Sequence, residues 1–255
     1  MIIIGFDIAT KSLAVSVICF NDNWYEDLSN IKKQFYVDIL GKPFDVVSEI
    51  AIEYIHKLDE LAADIIKIIL FDVVDLIPNQ KIKETDAILR TARLKGYLTN
   101  LDNKITSLLI DNNIYTNHPK VNSIKILLEY QMGPNDKSRN VCSQILYHYT
   151  PTNCNYINTF ESDKIKSNKH SIEIIGPSLK NKINLDKDKN HQYFYNKYAK
   201  SYDANKKHSV NNMMSWLHNN GKTQMINNIR KKNLDDIADA FTMSIAWLFI
   251  KSSLI

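Results

Sequence analysis

Four carboxylates stand where an ionised group is expensive to hold: Asp7, Glu129, Asp236 and Asp239. Asp7 follows the apolar run Met1-Ile-Ile-Ile-Gly-Phe, and Glu129 closes the run Ile124-Lys-Ile-Leu-Leu. A charge at the end of a buried strand must be paired, hydrogen-bonded or bound to a cation. Asp236-Ile-Ala-Asp239 puts two more carboxylates three residues apart, on one side of a helix. If the strand-end acids and the helix acids converge, mutual repulsion raises their pKa values unless cations compensate. All-oxygen donors are hard ligands that select Mg²⁺ or Mn²⁺ over zinc. Two such ions about 4 Å apart suit phosphodiester cleavage, one activating water and one stabilising the leaving oxygen. Taken singly, these acids admit plainer roles. Asp235 or Asp236 can cap a helix or favour its dipole, and Glu129 can be an ordinary strand-end acid.

The elements that must position these groups follow from periodicity. Residues 1–8 and Leu13–Phe20 read as a hairpin of buried strands. Gln34–Leu40 reads as a third strand, stopped by Gly41-Lys-Pro43. Helical spacing runs from Asp45 to about Asp75 and again from about Asp86 to Asp111. Arg90, Arg93 and Lys95 form a possible basic face on the second of these, either solvated or set against DNA. A strand over 121–129, a helix over 137–149, a short strand over 171–175, a helix over 209–218 and a last helix over 234–250 complete the series. Three meandering strands followed by alternating strands and helices predict an α/β fold with a five-stranded mixed sheet covered by helices. The chain reads as one domain, 1–255, with a helical expansion at about 43–119 and a polar loop at about 152–170.

Composition sets the outer bounds. With 44% apolar and 24% charged residues, the 255-residue chain is of ordinary globular type. A net charge of +4 permits a polyanionic partner without requiring one. Cys19, Cys142 and Cys154 have no metal-ligand spacing, and their odd number argues against a disulfide framework. The apolar stretch Ile237–Ile250 is short for a bilayer span and contains Asp239. A soluble, intracellular protein without membrane attachment is the expectation.

Between Lys180 and His208 eight lysines alternate with Tyr193, Phe194, Tyr195, Tyr198 and Tyr202. Cations interleaved with rings suit a nucleic-acid strand, although Asp186, Asp188 and Asp203 dilute the pattern. His208 reads as a surface histidine, with help in protonation as the sharper alternative.

Gly5-Phe6-Asp7, Leu128-Glu129-Tyr130-Gln131 and Asp236-Ile-Ala-Asp239-Ala240, in that order, resemble the acidic motifs of RuvC-like Holliday junction resolvases. The similarity is greatest to the branch found in poxviruses and other large DNA viruses. It implies an RNase H-like fold, a homodimer, and Mg²⁺-dependent paired nicking of four-way DNA junctions that leaves a 3′-hydroxyl and a 5′-phosphate. It implies that Asp7, Glu129, Asp236 and Asp239 hold two Mg²⁺ ions, with Mn²⁺ able to substitute. It also implies a catalytic lysine just before the third main helix, where Lys207 stands with Lys206 as near-equal candidate. By the same analogy the 137–149 helix is the candidate dimer interface, and the protein works where DNA is replicated, in a viral factory, cytoplasm or nucleus of an infected cell. Actin-like and sugar-kinase ATPases share the opening strand and Asp, but they need glycine-rich phosphate loops. The six glycines here are scattered, and the turn after Asp7 has none. A nuclease for flaps, forks or RNA–DNA hybrids, and a junction-binding protein without catalysis, are the remaining alternatives.

Overall fold

The computed structural model describes residues 1–9, 11–20, 24–77, 87–111, 123–129, 136–150, 169–186, 188–189 and 191–251. The chain opens with β1 (Ile2–Ile8) and β2 (Ser12–Phe20), then α1 (Trp24–Ile39) and α2 (Phe44–Ile65), and returns as β3 (Ile66–Asp75). There follow α3 (Ala87–Asp111), β4 (Ser123–Glu129), α4 (Asp136–His148) and β5 (Lys169–Ile175). A 3₁₀ turn (Lys180–Lys182) leads to α5 (His191–Lys197), α6 (Ser201–Asn219) and α7 (Leu234–Ala246), which ends in a π turn over Trp247–Lys251. The sheet order is β3-β2-β1-β4-β5. β2 runs antiparallel to β1 and β3, while β4 lies parallel to β1 and β5 parallel to β4. A mixed five-stranded sheet flanked by helices is the α/β architecture expected from the sequence.

β1 is buried along its whole length because it lies in the middle of the sheet with helices on both faces. Side-chain alternation then sorts its residues between two cores. Ile2, Ile4, Phe6 and Ile8 pack with Leu94, Leu98 and Ile105 of α3 and Val141 and Ile145 of α4. Ile3 packs on the opposite face with Met213 and Trp216 of α6 and Ile237 and Phe241 of α7. Gly5 and Asp7 share that second face by parity. So does Glu129, two residues beyond Leu127, a member of the same core.

Gly5 is where α7 comes closest. A Cβ added there would stand 2.3 Å from Ser244 Oγ and 2.8 Å from the Ala240 carbonyl oxygen. The missing side chain therefore lets the helix lie directly on β1, and Asp239 beside Ala240 is brought to the end of the strand.

Three sequence expectations are corrected. Residues 34–40 are not a strand: all but Leu40 lie within α1. There Gln34 Nε2 donates to Asp38 Oδ1 at 2.8 Å, one helical turn on, and the Phe35 ring packs 5.2 Å from that of Tyr54 on α2. Packing against α2 outweighs the β preference of Phe35, Tyr36 and Val37. The helix expected to reach Asp75 stops at Ile65, and the third strand begins at Ile66. A continuous apolar run such as Ile66-Lys-Ile-Ile-Leu-Phe satisfies either period, so periodicity could not find the boundary. The 43–119 stretch thus supplies β3 as well as helices. The helix expected at 209–218 begins eight residues earlier, at Ser201. Most of the polar loop expected at 152–170 falls outside the described residues. Among those described, no helix is long and apolar enough to cross a membrane.

Candidate active site

Asp7, Glu129 and Asp239 each offer a carboxylate oxygen, and the three oxygens lie within 4.8 Å of one another. All three side chains are nearly enclosed, at 9%, 8% and 4% exposure. Parallel pairing of β1 with β4 (Phe6 beside Leu128) sets the first two acids at adjacent strand ends. The close approach of α7 over Gly5 delivers the third.

Two lysines close this cluster. Lys180, itself 8% exposed, donates to Asp239 Oδ2 at 2.6 Å and to Glu129 Oε1 and Oε2 at 3.1 and 3.3 Å. It stands just past Gly176-Pro177, where the chain leaving β5 turns across the end of β4, because Ile175 pairs with Glu129. Lys206, on α6, reaches Asp236 Oδ1 at 3.0 Å, Asp235 Oδ2 at 3.4 Å and Asp239 Oδ2 at 3.5 Å.

The protonation pattern follows from burial and these neighbours. Burial, then the hydrogen bond and charge of Glu129 and the charge of Asp239, push the Asp7 carboxyl well above the usual range, with Lys180 pulling the other way. Burial would also raise Glu129. The hydrogen bond with Asp7 and the ammonium groups of Lys180 and Lys206 outweigh it and hold Glu129 low. For both lysines burial disfavours the charge, but the surrounding carboxylates, Asp239 foremost, outweigh it and raise their pKa. Two ammonium groups therefore face the carboxylates, and the Asp7 carboxyl holds its proton more tightly than a free one does.

The donor set fits a hard divalent cation. Three carboxylates converge with no nitrogen or sulfur donor among them, and Asp239 Oδ1 is buried with no hydrogen-bond partner among the described residues. An orphaned carboxylate oxygen inside an acidic cluster is a position that a cation would satisfy.

Of the residues expected from sequence, Asp7, Glu129 and Asp239 are brought together. Asp236 is set beside them, half-buried, where it accepts from Lys206 and from Ser12 Oγ at 3.3 Å. Lys207 is exposed, and the lysine that reaches the acids is Lys206. The early start of α6 explains this. Lys206 and Lys207 lie inside the helix, about 100° apart around its axis, so only one can face α7. His208 is not a surface histidine: it is 1% exposed, with Nε2 2.9 Å from the Ile183 carbonyl oxygen and its ring against His191 and Phe194. Arg90, placed on a basic face by sequence, is buried, whereas Arg93 and Lys95 are exposed.

In the sequence alone Lys180 is one cation of a basic stretch. A lysine within six residues of a strand end, behind Gly-Pro, was the available signal. It gains meaning only once β5 is known to lie beside β4.

Residues 193–251 match the family model described as Poxvirus A22 protein. The resemblance to the poxvirus branch of the RuvC-like resolvases holds. The matched segment contains Lys206, Asp236 and Asp239; Asp7, Glu129 and Lys180 lie outside it. Two solved structures also align with nearly the whole chain. They are Thermus thermophilus RuvC in complex with Holliday junction substrate (9% identity, TM-score 0.43) and a second Thermus thermophilus RuvC structure (12% identity, TM-score 0.43). Each alignment covers 99% of this chain and 96% of the other. No curated protein matches the sequence.

Proposed function

We propose that this protein is a Mg²⁺-dependent, structure-specific endodeoxyribonuclease that resolves four-way DNA junctions by paired nicks as a homodimer. The observation that carries the reading is the convergence of Asp7, Glu129 and Asp239 with the orphaned Asp239 oxygen. Asp7, Glu129 and Asp239 would hold Mg²⁺, with Asp236 as the further ligand for a second ion. Bound there, Mg²⁺ supplies Lewis-acid polarisation of the scissile phosphate and a nucleophilic water at neutral pH.

The chain's own residues do the rest. Lys206 stands between the acids and solvent with 16% of its side chain exposed, so its ammonium is available to a phosphate oxygen as negative charge builds. Lys180 keeps Glu129 ionised and fixes the Asp239 carboxylate. Asp236 holds Lys206 in place and is itself steadied by Ser12. The rings and lysines of α5 and α6 offer a surface for the strand, with Tyr193, Tyr195 and Tyr202 all exposed. The whole chain acts as one nuclease domain, and α4, which leaves Tyr147 exposed, is the proposed dimer face.

The test is cleavage of a labelled four-way junction in Mg²⁺ or EDTA, by wild type and Asp7→Asn, beside a duplex, a flap, a fork and an RNA–DNA hybrid. Symmetric, metal-dependent nicks that leave religatable duplexes, absent from the mutant, are expected. Faster cutting of the flap, fork or hybrid would keep the metal site and move the substrate. Tight junction binding with no cleavage of any substrate would overturn the enzyme reading.

A further inference from the structure

A groove of about 560 Å³ opens beside the acidic cluster, between α6 and the turn that leads into α7. Val210 and Leu234, both half-buried, are its apolar lining, and Tyr202 stands at its edge with 66% of its surface exposed. Lys207, Lys231 and Lys232 are exposed around it. With Lys206 they set four ammonium groups against two carboxylates, Asp203 and Asp235, and Asp235 is already engaged by Lys206. Lys206 joins the groove to the catalytic acids: its Nζ is 5.7 Å from the centre of the Tyr202 ring and 3.5 Å from Asp239 Oδ2.

An exposed ring, an apolar lining and a net-positive rim are the components of a single-strand nucleotide site, where the base stacks and the phosphates meet cations. A volume of this size is at the scale of small-molecule sites. We propose that this groove takes one unstacked nucleotide next to the scissile phosphate, its base on Tyr202 and its outer phosphate among Lys207, Lys231 and Lys232. The inference rests on the nuclease reading above and names what that site would hold. It supplies a preference for branched DNA, because a nucleotide at a point of strand exchange is released from its stack at less cost than one inside a duplex.

The experiment measures junction binding in EDTA by wild type, Tyr202→Leu and Tyr202→Phe. An abasic residue is moved through the positions around the exchange point. At one position the abasic residue should weaken wild-type binding roughly tenfold. Tyr202→Leu should lose the same factor on the intact junction and nothing further on that abasic one, while Tyr202→Phe binds as wild type. Wild-type affinity for Tyr202→Leu, full additivity at every abasic position, or no junction binding by the wild type would overturn the groove. Cleavage by the wild type in Mg²⁺ is read separately. Nicking without this coupling would leave the nuclease reading standing, and coupling without nicking would keep the groove and remove the nuclease.

Discussion

Lys180 and Asp239 are 59 residues apart in the chain, yet their side chains meet at 2.6 Å inside the protein. The contact ties the end of β5 to α7 across the carboxylates of two central strands. Lys180→Met would leave Glu129 and Asp239 buried without their nearest cation, with only Lys206 still facing them, a loss of up to about 3–5 kcal/mol. Urea unfolding in EDTA should show this loss, and titrated Mg²⁺ should restore a large part of it. A loss indifferent to Mg²⁺ would mark Lys180 as a packing residue only.

Asp7→Asn should act on stability in the opposite direction. The folded state holds the Asp7 proton more tightly than the unfolded chain does, so this group's contribution is fully present below the unfolded pKa near 3.8 and is lost as pH rises through the folded value. Asn imitates the protonated form at every pH. In EDTA at pH 7–8 the variant should therefore melt above wild type, with the difference vanishing toward pH 3.8, while cleavage is abolished. A variant that melts below wild type at neutral pH would show that the Asp7 charge is stabilised rather than strained.

Gly5→Ala adds one methyl where the Ala240 carbonyl oxygen already stands at 2.8 Å. Ser244 Oγ can rotate aside, but the helix backbone must move. Overpacking of this kind costs about 1–3 kcal/mol. Because the displaced helix carries Asp239, activity should fall by a larger factor than stability alone accounts for. Comparing the melting temperature with kcat at a temperature where the variant is fully folded separates the two effects.

Lys206 and Lys207 are neighbours with different surroundings. Lys206→Met should lower cleavage by on the order of 100-fold, the scale of removing one donor to a developing negative charge. Lys207→Met should leave kcat near wild type and weaken DNA binding uniformly, with a salt slope shallower by about one. Salt-dependent binding and single-turnover cleavage of both variants check the assignment. Equal effects would show that the two cations act as one patch.

The acids were legible from sequence because each broke a local rule. Asp7 and Glu129 end apolar strands, and Asp239 sits among Ile237, Ala238, Ala240 and Phe241 on a helix otherwise wholly buried there. The lysines broke no rule, since a cation in a Lys/Tyr-rich stretch resembles any solvated one. Lys180 and Lys206 are distinguished by topology: by β5 lying beside β4, and by a helix that begins at Ser201. The sheet was read correctly in its strand number and mixed character. Its third strand was misplaced, because Gln34–Leu40 looks more like a strand alone than it does against α2.

That misplacement conceals how the charge of the molecule is divided. Phe20 and Ile66 pair side by side, so α1 and α2 leave the sheet and return to it at one point. From residue 24 to residue 65 the chain carries nine carboxylates against four lysines, although the protein as a whole is net positive at +4. The far turn of this hairpin exposes Tyr36, Val37, Leu40 and Phe44. The remaining residues are accordingly far more basic than the total suggests. An approaching polyanion is turned from the hairpin and drawn to the rest of the surface before any contact forms. Raising the ionic strength should therefore slow the encounter more than a net charge of +4 would lead one to expect.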